Sequence, residues 1–156
     1  MTKSLSIRFR RARAADLEEI IALLAEDEPD PGDAHPENPS PAVYREVFDI
    51  IEANPNGVLI VGEWEGAVVG CVHLHFLPGL GRRGAWRAQV QDVHVARRLR
   101  RKGIGQSMIR YAIGLAKARQ CYVIQLTLHK AHQDAKYFYE HIGLAVSHEG
   151  ITMLLN

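Results

Sequence analysis

Cysteine is scarce in this chain of 156 residues, and the two that occur, Cys71 and Cys121, sit inside apolar strand-like runs. That argues against a disulfide framework or a metal pair and leaves buried reduced thiols as the expectation. An excess of one charge is also lacking: 19 Lys+Arg stand against 18 Asp+Glu, a formal net charge of +1. No global field draws such a molecule onto nucleic acid or a membrane, so any recognition of a polyanion has to be local. No stretch approaches the roughly 18 consecutive apolar residues that a bilayer crossing requires. Met1 to Arg13 alternates charged with single apolar residues and lacks the apolar core of a secretory leader, so a cytoplasmic location is expected. Internal repeats and low-complexity tracts are absent. What is present, 47% hydrophobic and 24% charged residues, suits a single globular domain over residues 1–156.

Hydrophobic periodicity orders the chain. "SIRFRRA" alternates Ile7 and Phe9 with arginines, a strand with one wet face, and "DLEEIIALLAED" sets Leu17, Ile20, Ile21 and Leu24 on one helical stripe. The prolines of "EPDPGDAHPENPS" sustain neither a helix nor a central strand. Ser40 and Pro41 then cap and start a helix that continues through Val43, Val47, Ile50 and Ile51 to "NPNG". Glu65-Gly66 splits "VLIVGEWEGAVVGCVHLHFL" into a hairpin, and the Gly-rich loop 78–85 leads into the strand "WRAQVQDVHV". A helix over 104–119 carries Ile104, Met108, Ala112, Leu115 and Ala116 on one face. "CYVIQLTL" reads as an apolar strand, a short helix follows over 134–141, and "LAVSHEGITMLL" predicts a closing hairpin around Glu149-Gly150. This order predicts a mixed sheet of the α/β or α+β class.

The chemistry concentrates in "RRLRRKGIGQSM", residues 97–108. A strand ending at Val95 feeds through a basic loop into Gly103-Ile104-Gly105 and a helix. The first helical turn has backbone N–H groups without intrahelical partners, and glycines there let a phosphate approach closely. Arg97, Arg98, Arg100, Arg101 and Lys102 add positive charge, so the stretch reads as a pyrophosphate site. It is not a Walker A loop, because no Lys-Ser or Lys-Thr pair follows the glycines. The dinucleotide fingerprint also fails, since the pair lies far down the chain and residue 108 is Met. A nucleic-acid surface would bring interleaved aromatics or a large basic excess, and neither is present.

Two motifs in order carry a family resemblance. Arg100-Arg101-Lys102-Gly103-Ile104-Gly105, after the strand "VQDVHV", resembles the Arg/Gln-x-x-Gly-x-Gly/Ala loop of the GCN5-related N-acetyltransferase (GNAT) family. Ala135-Lys136-Tyr137-Phe138-Tyr139-Glu140-His141-Ile142-Gly143-Leu144 is similar to that family's second signature. The resemblance implies a mixed, mostly antiparallel central sheet flanked by helices and splayed at the cofactor site. It implies acetyl-CoA as cofactor, with the backbone of Val93, His94 and Val95 pairing with the pantetheine arm. Arg100, Arg101, Lys102, Gly103, Ile104, Gly105, Gln106 and Ser107 would wrap the pyrophosphate. His132, where many relatives carry Asn, would reach the cofactor arm, and Lys136 would either contact the cofactor phosphates or pair with Glu140 on the surface. Tyr139 matches the tyrosine placed beside the CoA sulfur as general acid.

Acetyl transfer to an amine also needs that amine deprotonated. Relatives often place a glutamate where Gln91 stands, and a carboxamide cannot take a proton at neutral pH. Asp92 would face the other side of a regular strand unless a β-bulge reverses it. His94, His73 and His75 are the other candidates, and the working expectation is a pocket that binds the neutral amine or relays its proton through water. Trp86, beside the Gly-rich loop, could line the acceptor pocket, an interface or the core. Glu28, Asp30, Asp33 and Glu37 would suit a polyamine or aminoglycoside, while Arg82, Arg83 and Arg87 would suit an amine bearing carboxylate or phosphonate. The expected partner is a small-molecule amine, with no nucleic acid, no membrane, no metal, and a homodimer as the default for a small enzyme. The competing reading is a non-enzymatic acyl-CoA-binding or regulatory module.

Overall fold

A computed structural model describes residues 5–26 and 41–155. The irregular segment with Glu28, Asp30, Asp33 and Glu37, and the helix cap expected at Ser40, lie outside the described residues. The chain divides into two compact units, Met1–Gln125 and Leu126–Asn156.

In the first unit β1 (Arg8–Arg11) is followed by α1 (Leu17–Ala25), α2 (Pro41–Ala53), β2 (Gly57–Trp64) and β3 (Ala67–Leu77). A single left-handed turn, α3 (Gly81–Gly84, with Arg82 at φ 51° and Arg83 at φ 60°), then precedes β4 (Arg87–Val95), α4 (Ile104–Ala118) and β5 (Val123–Leu126). The strands form one sheet in the order β1-β2-β3-β4-β5, and β1 through β4 pair antiparallel. Glu65 (φ 51°) and Gly66 (φ 82°) make the two-residue turn of the β2–β3 hairpin, both in the left-handed conformation that matches strand twist. The Tyr122 amide donates to the Trp86 carbonyl (2.9 Å) and the Gln125 side chain to that of Gln89 (2.9 Å). Residue numbers rise together across those two contacts, so β5 runs parallel to β4, as a helical crossover between neighbouring strands requires.

Residues directly opposite in a ladder share a face. Ile60, Val72, Leu74, Val90, Phe76 and Ala88 therefore lie on one side of the sheet, and Leu59, Val61, Cys71, His73 and His75 on the other. Cys71 and Val61 cluster with Ile20 and Leu23 of α1 and Phe48 of α2. Gly70, on the opposite side, faces α4 so closely that a β-carbon there would sit 3.5 Å from the Met108 sulfur. Ile104, Met108, Ile109, Ala112 and Ala116 are buried along α4, close to the face expected from the 3.6-residue period. Between β1 and α1, the Arg10 guanidinium holds both oxygens of Asp16 (2.7 and 2.8 Å) and its Nε donates to Glu63 (2.8 Å). That guanidinium is the main cause of a lowered Asp16 pKa.

The helix expected from Pro41 forms as α2, with Phe48 packed into the core while Val43, Val47 and Ile50 stay exposed. One expectation fails: in the second unit the closing hairpin around Glu149-Gly150 does not form, residues 144–155 hold no strand, and Ile151 is 97% exposed. Alternation supplies strand propensity, but a strand forms only where a neighbouring backbone completes its hydrogen bonds. The one helix of that unit, α5 (Gln133–Ile142), ends in left-handed Gly143 (φ 109°).

Met108 is fully buried, so Met108→Ala is expected to lower the unfolding free energy by about 2–5 kcal/mol. Ile151→Ala should change it by less than about 0.5 kcal/mol. Urea denaturation of the two variants checks this burial pattern, and equal losses would contradict it.

Candidate functional site

The site begins with an irregularity in β4. The β3–β4 register pairs His73 with Gln91 but Cys71 with His94, so Asp92 and Val93 together oppose Val72. This is a β-bulge, with Asp92 in the left-handed conformation (φ 51°), which Asp tolerates better than most residues. The extra residue reverses the alternation. Gln91 and His94, of opposite parity, consequently lie on the same face as Cys71 and His73. Asp92 acts electrostatically on His73, His75 and Cys71, so its charge is felt on that face.

Past Val95 the chain enters a 3₁₀ turn, Arg97–Leu99, anchored by buried Leu99. The Arg97 amide donates to the Glu26 carboxylate (2.8 Å) and its guanidinium to the Glu26 carbonyl, tying the loop to the end of α1. Arg100 Nε donates to the Val95 carbonyl (3.0 Å). Arg101 (φ 61°) and Gly103 (φ 81°) are both left-handed, and a curl of this kind turns successive N–H groups toward one point. Gly103 is the N-cap of α4 and supplies no side chain, and nothing lies within 4 Å of the place its β-carbon would occupy. The first α4 bond runs from the Ser107 amide to the Gly103 carbonyl (3.0 Å), leaving the amides of Ile104, Gly105 and Gln106 without intrahelical partners. Arg101 and Lys102 are exposed beside them. Open space, unused donors and cationic side chains fit a diphosphate group.

Beside the bulge the sheet face turns polar. His73 is buried and His75 half-buried, with ring centroids 3.9 Å apart. Burial, reinforced by the neighbouring His75, pushes the His73 pKa down to about 4, and burial also lowers that of His75. Gln91 Nε2 lies 3.5 Å from His73 Nδ1, while Gln125 Nε2 donates to Gln89 Oε1 (2.9 Å). Gln89 and Gln125 were not anticipated, although "HLH" on β3 and "QVQ" on β4 place polar residues two apart within apolar strands. Burial pushes the Cys71 thiol up to about 12, so this thiol is unreactive. Trp86 is half-buried at the start of this region, and Arg82 stacks over Tyr122 (4.8 Å).

In the second unit α5 carries His132 as its N-cap, without a side-chain capping bond. A depression of about 320 Å³ lined by Ala131, His132, Gln133, Asp134 and Ala135 lies at this helix start. Lys136 and Tyr139 are half-buried. Tyr139 packs edge-on against Phe138 (5.0 Å), and burial raises its pKa, which keeps the phenol protonated. Among the described residues there is no cluster of potential metal ligands, and no helix is long and apolar enough to cross a membrane.

Residues 17–144 match the model of the acetyltransferase (GNAT) family. No curated protein sequence matches the chain. Among solved structures, a transcriptional regulator from Bacillus halodurans C-125 is 36% identical (TM-score 0.88), over 96% of this chain and 100% of that one. Glucosamine-6-phosphate N-acetyltransferase from Arabidopsis thaliana shares the fold at 19% identity (TM-score 0.81), over 97% and 99% of the two chains. So does a protein from Clostridium acetobutylicum solved with acetyl-CoA and described as a predicted acetyltransferase, at 17% identity (TM-score 0.73) over 96% of each chain.

The buried histidine has a consequence for stability. Between the ordinary imidazole value of 6.5 and about 4, the unfolded chain binds a proton at His73 that the folded chain refuses. Its contribution is therefore complete above pH 6.5 and is lost as pH falls toward 4. Urea unfolding of wild type and His73→Gln across that window is expected to show a shallower decline for the variant, and identical declines would contradict the burial of this ring.

Proposed function

Because the chain belongs to the acetyltransferase (GNAT) family, we propose that it transfers the acetyl group of acetyl-CoA to a primary amine of a small molecule. The observation that carries this reading is the loop Arg100–Ser107, where left-handed Arg101 and Gly103 curl into a glycine-capped helix start flanked by exposed cations. In the proposal Arg100, Arg101, Lys102 and the amides of Gly103, Ile104, Gly105, Gln106 and Ser107 hold the diphosphate, and the backbone of Val93, His94 and Val95 holds the pantetheine amides. His132 and Lys136 contribute further cofactor contacts. The cofactor supplies a thioester-activated acetyl group.

Direct transfer forms a bond between the amine nitrogen and the carbonyl carbon, breaks the carbon–sulfur bond, and moves one proton from nitrogen and one to sulfur. Tyr139 gives its proton to the departing sulfur, and its raised pKa supports that role because the phenol stays protonated. Gln91 holds the amine by hydrogen bonds, and Asp92 orients the ammonium form while its proton leaves through water. A cytoplasmic location, a single domain and a homodimer belong to the same proposal.

A second reading has one observation in its favour: the Bacillus halodurans protein at 36% identity is described as a transcriptional regulator. In that reading the chain binds an acyl-CoA without turnover. Thiol release from acetyl-CoA over a panel of amines separates the two. Acceptor-dependent release is expected, and Tyr139→Phe should lower kcat by about 10²-fold while leaving acetyl-CoA affinity intact. Binding of acetyl-CoA without release on any amine would favour the regulatory reading, and absence of binding would overturn both.

A further inference from the structure

On the sheet face opposite α4, the apolar cluster built on Val61 and Cys71 gives way to five uncharged polar side chains. His73 and His75 lie side by side on β3 with their rings tilted by 45°, opposite Gln91 and Gln89 of β4, and Gln125 of β5 extends the row by its bond to Gln89. Polar groups set into a partly buried sheet face lose hydration, and apolar residues of similar size would pack there at lower cost. His75 Nε2 is buried and has no hydrogen-bond partner among the described residues. An unsatisfied buried nitrogen is rare in folded proteins and requires an explanation.

We propose that this face is the acceptor pocket and that it takes an amine carried on a hydroxyl-bearing, sugar-like skeleton, with His75 Nε2 accepting a hydrogen from one of the acceptor's hydroxyls. The proposal rests on the transferase reading above. Three carboxamides and two imidazoles offer donors and acceptors side by side, which is the pattern that hydroxyls, themselves donor and acceptor, satisfy. None of the five is charged. The cation on this face, Arg87, stands two residues before Gln89 at the exposed end of the strand, so a carboxylate or phosphonate set against the buried rings would lose its hydration without a paired cation among these five. Asp92, at the bulge, is the carboxylate that acts on both rings, enough for one ammonium and not for the several of a polyamine. Burial keeps both rings neutral near pH 7, so their nitrogen lone pairs remain available.

The test follows the ring nitrogens of the ¹⁵N-histidine-labelled full chain by NMR, with and without coenzyme A. The titrants are glucosamine, spermidine, alanine and aminoethylphosphonate. Glucosamine is expected to shift the His75 Nε2 signal, and the other three to leave it near its starting position. His75→Phe, which keeps an aromatic ring and loses the acceptor, should weaken glucosamine binding by about tenfold or more, a loss of roughly 1.4 kcal/mol. Gln125→Leu, on a different strand, should weaken it as well. A His75 signal unmoved by glucosamine, or moved as far by spermidine or aminoethylphosphonate, overturns the proposal. Thiol release from acetyl-CoA over the amine panel reports on the transferase reading separately, and calorimetry of coenzyme A serves as the folding control for both variants.

Discussion

One extra residue in β4 governs the arrangement of the proposed site. Up to Gln91 the strand follows strict alternation opposite β3, and beyond Asp92 the parity is reversed, so Gln91 and His94 share a face although they are three residues apart. The left-handed turn at Asp92 interrupts the ladder for one residue, after which His94 and Val95 pair again with Cys71 and Gly70, so β3 still holds one edge of the strand end. By the offset of the Tyr122–Trp86 and Gln125–Gln89 contacts, β5 ends at Leu126 near the level of Val90. The last residues of β4 therefore run on past the end of the neighbouring strand. In the proposed function this is where an amide-bearing chain takes the place of a strand.

An interrupted strand holds its shape only on a rigid support. Here β3 supplies it, with Val69, Cys71, Val72 and Leu74 all fully buried between helices on either side. The Arg10–Asp16–Glu63 network clasps β1, β2 and the start of α1, and the Arg97–Glu26 contacts pin the loop that follows β4. The basic loop thus leaves a packed platform at Leu99 and re-enters one at Ile104, and the curl between them is short. Such support from packed elements allows a phosphate site to be formed in advance of its ligand.

Much of this was legible in the chain, where local chemistry decides the outcome. Glu65-Gly66 demanded a two-residue hairpin, Gly103-Ile104-Gly105 a helix start, and the period of Ile104, Met108 and Ala112 the buried face of α4. The features that escaped depend on distant partners. Which side of α2 is buried was decided by Phe48 meeting the α1 cluster, and the terminal alternation lacked the neighbour that would have made it a strand. The row of histidines and glutamines escaped because it belongs to three strands at once, and the register joining them exists only in the folded sheet.

In the proposed function the bulge acts through backbone shape, and calorimetric titration of acetyl-CoA into two variants substituted at Asp92 measures that most directly. Glycine adopts φ near 51° without strain, whereas a β-branched residue resists it. Asp92→Gly should bind acetyl-CoA within about threefold of wild type, and Asp92→Val should lose about tenfold or more, a difference near 1.4 kcal/mol. Equal binding by both variants, or equal loss in both, would contradict the claim that the bulge shapes the cofactor strand.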